Sequence, residues 1–503
     1  MLPETVSEAA RRFGDATAYV TPGGWPLSYR ELDRASDEAA AGLARRGVRE
    51  GSVVALVLPP GVEYAVAYAA AAKLGAITAG VNDRLTAPER ATVLERAAPT
   101  LVVATPELAT DDPTGTGVCV VDPATGPHDV LSSLRVVAAA PPRLPVDPDR
   151  AVAIVFTSGT TGAPKGALYT NRQLDFITAT DVGEVWGTGG RSLNGTSFAH
   201  LGFMTKLPGN LRRGGTTFIM RRWSAGGALE LVAAHAMTTV TGVPTQLALM
   251  LRAPDFDAFD LSCVRFLVVG GGPITPDLAR EARERFRAAL ATRYSCTEAG
   301  IGCGTAFDDP EEDAVVSVGR PQAGVELALL DPDDRPVADG EVGTVCLRSP
   351  AVMREYWRDP QATRAVFTAD GFVRTGDLGR LDDRGRLRLV GRSKEMYVRG
   401  GYNVYPVEVE GVLSEHPAVA AVAVVPRPDA VMGEIGVAVV VARPGTETPT
   451  LAALRDFGRG RLAAHKLPED IRLTDSLPLT AGEKVDRRAL AGLVSRSVPD
   501  ASR

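Results

Sequence analysis

The feature that most constrains this chain is a series of short, unbroken apolar runs, each lying near a segment of helical character. VVALVL spans 53–58, AITAG 76–80, LVVA 101–104, AVAIVFT 151–157, TTFIM 216–220 and VRFLVVG 264–270. Continuous runs of this length read as strands buried on both faces, as in mostly parallel sheets covered by helices. The intervening segments agree. SYRELDRASDEAAAGLARR (28–46) has apolar positions at helical spacing between a Ser cap and Gly47, and an Ala-rich helix is expected from about Gly61 to Lys73. The alternation predicts a layered α/β architecture.

After about residue 312 the spacing shortens to strands joined by turns such as DPDD and ADGE, which predicts a smaller β subdomain. Beyond Gly391 a helix (VEVEGVLSEHP), two strands (AVAAVAVV and GVAVVVARPG) and a helix (LAALRDFGRGRLAAH) make a small α+β unit. A chain of 503 residues exceeds one hydrophobic core. The expected division is a large N-terminal α/β domain, residues 1–392, and a small C-terminal domain, residues 393–503, with the boundary near Lys394. The Pro/Gly/Thr stretch 109–127 is expected to be a loop.

A net charge of −6 argues against a surface that binds nucleic acid, so any polyanionic ligand must meet local cations. Five scattered cysteines fit reduced thiols in a cytoplasm. The N-terminal segment lacks the apolar core of a signal peptide, and no stretch reaches the roughly 18 apolar residues of a membrane span. The expectation is a cytoplasmic enzyme.

The most informative segment follows the strand AVAIVF: Thr157, Ser158, Gly159, Thr160, Thr161, Gly162, Ala163, Pro164, Lys165, Gly166. Small residues let backbone N–H groups and hydroxyls close around phosphate oxygens, and Lys165 adds a cation. A Walker loop is excluded, because Pro164 precedes the lysine and Gly166 follows it. This run resembles the signature loop [ST]SG[ST]TGxPKG of the adenylate-forming superfamily, which holds acyl-CoA synthetases, nonribosomal adenylation domains and luciferases. Further motifs follow in the family's order over essentially the whole chain.

The resemblance implies the following roles. Gly271, Gly272 and Pro273 form the adenine-binding turn, and Tyr294 stacks on adenine. In Tyr294-Ser295-Cys296-Thr297-Glu298, similar to YGxTE, Thr297 holds the α-phosphate and Glu298 ligates Mg²⁺. Asp377 of Arg374-Thr375-Gly376-Asp377-Leu378 accepts bonds from the ribose hydroxyls, and Arg392 reaches the ribose. Lys394 is the hinge of a mobile C-terminal domain, and Gly400 and Gly401 let pantetheine pass. His200, in Ser197-Phe198-Ala199-His200-Leu201-Gly202, lies beside the substrate carboxylate. Lys484 is the lysine of the adenylation step.

The implied activity is an AMP-forming acyl-CoA ligase. It uses ATP, Mg²⁺ and coenzyme A to convert a carboxylic acid through acyl-AMP to acyl-CoA. Ala199, standing where the family has an aromatic, suggests room for a bulky hydrophobic acid, and Ser295 in place of glycine suggests a changed pocket floor. Glu483 stands where the family pattern PxTxxGK has glycine, which raises an alternative with weakened adenylation that mainly converts acyl-AMP to acyl-CoA. A second alternative is an acyl-AMP ligase that loads a carrier protein.

Overall fold

The computed structural model describes residues 1–109, 115–157, 164–272, 274–393, 395–480 and 484–495. Its largest sheet has seven strands, in the order Glu355–Tyr356, Gly166–Thr170, Ala151–Phe156, Ile77–Gly80, Val53–Val57, Leu101–Ala104, Val118–Val120. The five from Ala151–Phe156 onward are parallel, and the first two run antiparallel to their neighbours. Val54 and Leu56 pack into one core and Val53, Ala55 and Val57 into another, so the run is apolar without a break because neither face meets water.

The helix Tyr29–Arg45 starts with a capping box in which the Ser28 hydroxyl accepts from Glu31 N and the Glu31 carboxylate answers the Ser28 N–H. Val62–Lys73 buries every residue but Glu63, as a helix that is apolar on every face must. Its one cation, Lys73, reaches Asp33 and Asp37, each at 2.7 Å.

A second sheet joins Thr239–Gly242, Phe266–Gly270 and Ala289–Tyr294 in parallel and adds two short antiparallel strands. A four-stranded sheet pairs the N-terminal strand Thr17–Val20 with Thr216–Ile219. The β subdomain is an antiparallel sheet of Glu326–Leu330, Gly343–Arg348, Val373–Leu381 and Leu387–Arg392. Arg392 ends that sheet, and Tyr397–Arg399 opens the five-stranded sheet of the small C-terminal unit. Among the described residues no helix is long and apolar enough to cross a membrane.

Two local expectations are corrected. Within 109–127, Val118–Val120 is the edge strand of the large sheet, paired in parallel with Leu101–Ala104, because this run, with a β-branched valine at each end, can satisfy its backbone on that open edge. The helix expected through His465 stops at Gly458, where a side chain would come within 2.5 Å of Leu467 Cδ2, and Gly460 turns the chain with φ +77°. A separate 3₁₀ turn holds Ala464–Lys466.

Candidate active site

Thr157–Lys165 joins two antiparallel strands whose last pair is Phe156 and Gly166. Thr157 N donates to Lys165 O at 2.9 Å, closing the neck of the loop. Gly166 is required there, since a Cβ would sit 2.4 Å from Ile154 Cγ2. Ser158, Gly159, Thr160, Thr161 and Gly162 lie outside the described residues. Lys165 Nζ stands 5.1 Å from the centre of the Tyr356 ring, and the Tyr356 hydroxyl donates to Glu298 Oε1 at 2.5 Å. Lys165 and Glu298 are thus brought to one place by a tyrosine on a two-residue edge strand.

Thr297 and Glu298 are held from the backbone. The fully buried Tyr169 hydroxyl donates to Thr297 O, and Met353 N donates to Glu298 O at 2.9 Å. Tyr294 precedes them at the end of its strand, and its hydroxyl donates to Asp377 Oδ2 at 2.8 Å and lies 3.1 Å from Thr375 Oγ1. Ser295 turns its hydroxyl onto Cys296 O at 3.1 Å. Gly271 turns the chain after Phe266–Gly270 with φ +77°, and Pro244 Cδ lies 3.5 Å from where a Cβ of Gly272 would be. Pro273 is outside the described residues.

Asp377 and Arg392 face each other across antiparallel strands, and Arg392 Nε donates to Asp377 Oδ1 at 2.8 Å. Lys394 is outside the described residues. Glu395, just beyond it, pairs at 3.0 Å with Arg487, which also grips Glu410 at 2.8 Å, so the segment after Arg392 is tied to the small domain.

Lys484 stands on a C-terminal hairpin in which Thr480 N donates to Lys484 O at 2.7 Å and Leu479 bridges Val485. Leu479 shares a cleft of about 340 Å³ with Trp223, Thr245 and Leu249 of the large domain. The Lys484 side chain reaches water, yet the surrounding protein strips enough hydration to lower its pKa; Arg392 adds to this, while Asp377, Cys296 and Glu395 oppose it. Lys484 also acts on His200, whose pKa burial first, then Lys484 and Arg84, push down to about 4. His200 Nε2 lies 3.0 Å from Asn82 Nδ2. The hairpin therefore carries a cation of the small domain into electrostatic reach of His200, Asp377 and Arg392. Glu483 is outside the described residues.

Gly400 and Gly401 fill the two-residue loop of a tight hairpin closed by Arg399 and Tyr402, with φ +54° and +84°. A type I′ turn needs positive φ at both positions, so the turn alone accounts for both glycines.

Ala199 does not open space. It is 3% exposed, belongs to the main core, and has its Cα 3.0 Å from where a Cβ of Gly80 would lie. The open position beside His200 is Gly202, exposed and with nothing within 4 Å of where its Cβ would lie. Asn82, Tyr169 and Tyr356 carry no signal in the sequence, because each is joined to its partner only by the fold: 118 residues separate Asn82 from His200, and 58 separate Tyr356 from Glu298.

The chain is similar to known proteins over nearly its whole length. The AMP-binding enzyme family matches residues 6–357 and the AMP-binding enzyme C-terminal domain matches 408–484. A feruloyl-CoA synthase of Amycolatopsis sp is 35% identical over 485 residues, covering 95% of each chain. The fatty acid–[acyl-carrier-protein] ligase ScoC of Streptomyces coeruleorubidus is 33% identical, covering 93% of this chain and 91% of its own. The solved structure of the amide bond synthetase McbA from Marinactinospora thermotolerans superposes with a TM-score of 0.86 at 28% identity, covering 98% of this chain and all of that one. The chain therefore belongs to the AMP-binding enzyme family, in the acyl-CoA ligase branch of the adenylate-forming superfamily.

Proposed function

We infer that the chain is an AMP-forming acyl-CoA ligase that uses one site for two successive reactions. In the first, a carboxylate oxygen of the acid attacks the α-phosphorus of ATP, the bond to pyrophosphate breaks, and acyl-AMP forms. In the second, the sulfur of coenzyme A attacks the acyl carbon and AMP leaves. The observation that carries this reading is Lys484, a cation of the small domain within electrostatic reach of His200, Asp377 and Arg392.

Each group then has a task. The loop from Thr157 to Lys165 and the Thr297 hydroxyl surround the phosphates, Lys484 meets the charge that develops at the α-phosphate, and Asp377 and Arg392 hold the ribose. Gly271, Gly272, Pro273 and Tyr294 form the adenine seat. Among the described residues no cluster of three or more His, Cys, Asp or Glu could cage a metal, and Glu298 has no hydrogen bond on Oε2. One carboxylate beside substrate phosphates is the donor set Mg²⁺ accepts, so Glu298 would hold that ion, which supplies charge neutralisation on the phosphates.

The second reaction requires the lysine to leave and the pantetheine arm to enter. A rotation near Lys394 accomplishes both and brings Gly400 and Gly401 to the thiol path. Gly202, open beside His200, favours a bulky hydrophobic acid. The buried thiols of Cys119, Cys303 and Cys346 suit a cytoplasmic location.

A panel of carboxylic acids incubated with ATP, Mg²⁺ and coenzyme A, read by mass spectrometry, tests the reading. Thioester that depends on coenzyme A supports it. Adenylate that passes only to a phosphopantetheinyl carrier protein, or to an amine, overturns the choice of acceptor.

A further inference from the structure

Asn82 follows the central strand Ile77–Gly80 and is 7% exposed. Its amide has only one workable orientation. Arg84 N donates to Asn82 Oδ1 at 3.0 Å, and turning the amide over would set two N–H groups against each other. The NH₂ end therefore faces His200 Nε2, 3.0 Å away. An NH₂ group only donates, so Nε2 must present a lone pair, and the single proton of the neutral ring belongs on Nδ1.

We propose that Asn82 is a positioning residue that holds His200 as the neutral Nδ1–H tautomer, so that His200 serves the acyl site as a fixed hydrogen-bond donor and not as an acid or a base. The proposal rests on the ligase reading for what His200 serves, but the tautomer follows from Asn82 and Arg84 alone. The backbone side of the residue is fixed too, since Phe203 N and Met204 N both donate to His200 O at 3.0 Å. The ring can then neither flip nor take a second proton without losing the Asn82 contact.

The charges around the ring act in the same direction. Arg84, two residues after Asn82, and Lys484, from the small-domain hairpin, both repel an imidazolium. Burial raises the pKa of Asp83, the carboxyl group next in the chain, against the opposing pull of Arg84. A neutral donor on Nδ1 suits a carboxylate that must keep its nucleophilic electron pair. An imidazolium would hold that pair too tightly, and a ring with its proton on Nε2 would turn a lone pair toward the acid.

The test is ¹⁵N NMR of the full chain labelled at histidine, with the His200 signals assigned by their loss in His200→Gln. The sequence holds five histidines, so the spectrum is sparse. The expected spectrum shows a protonated Nδ1 and a bare Nε2 at His200, unchanged between pH 5.5 and 8. Asn82→Asp keeps the acceptor for Arg84 N–H but replaces the donor with a carboxylate. In that variant His200 is expected to carry a proton on Nε2 and to titrate inside this window, and the acid limb of pyrophosphate release is expected to move up by at least one pH unit. An Nε2–H ring or titration near 6.5 in the unmutated chain would overturn the proposal, as would an unchanged tautomer in Asn82→Asp. Absence of thioester from every acid would sink the ligase reading while leaving the NMR result standing.

Discussion

Arg392 Nε sits 2.8 Å from Asp377 Oδ1, and the two residues are direct cross-strand partners, so the ladder itself sets the ion pair. Tyr294 takes the other carboxylate oxygen at 2.8 Å. Both oxygens of the Asp377 carboxylate are thus held by side chains from other strands.

Replacing Asp377 with Asn keeps the shape but removes the charge that Tyr294 and Arg392 share. Charge-assisted hydrogen bonds contribute about 1.5–3 kcal/mol each, so the KM for ATP is expected to rise on the order of 10- to 100-fold. Pyrophosphate release at varied ATP measures it.

Tyr356→Phe removes the hydroxyl bonded to Glu298 Oε1 at 2.5 Å and leaves the ring under Lys165. Glu298 then loses its orientation but not its charge. Adenylation is expected to fall about tenfold and to need more Mg²⁺, which a magnesium titration of pyrophosphate release will show.

Asp313 is fully buried and pairs with Arg386 at 2.6 Å, Arg320 at 3.0 Å and Arg384 at 3.4 Å. Arg386 is itself buried and keeps Asp382 at 2.7 Å, so Asp313→Ala removes one of the two carboxylates that compensate it between the second sheet and the β subdomain. Destabilisation of about 3–5 kcal/mol is expected by denaturant titration.

His200 gives the stability a pH dependence with a definite sign. Its pKa is about 4 in the folded chain against an ordinary value of 6.5, so between these the unfolded chain binds the extra proton. Stability is therefore complete above about pH 6.5 and is lost as pH falls toward 4, by up to roughly 3 kcal/mol. Denaturant midpoints across that range should slope for the unmutated chain and slope less for His200→Gln.

The legibility of this molecule in its sequence divides along physical lines. Buried strands such as Val53–Val57 and capped helices such as Tyr29–Arg45 write their environment into a local pattern, and so do loops that need several small residues in a row. Val118–Val120 hid because three residues at a sheet edge make too short a pattern. Ala199 misled because a small residue can equally signal an open pocket or a tight core, and here it packs against Gly80. Gly400 and Gly401 are required by their turn, whatever passes beside them. Asn82 and Tyr356 carry no local mark, since their meaning comes from partners far along the chain.

In the proposed mechanism one site runs two reactions, and Lys484 belongs to the first alone. The most direct measurement is Lys484→Ala assayed in two halves: acid-dependent pyrophosphate release, and conversion of supplied acyl-AMP to acyl-CoA. Release is expected to fall about 10²- to 10³-fold while thioester formation stays within about a few-fold of the unmutated chain. Equal loss in both halves, or normal pyrophosphate release, would contradict it.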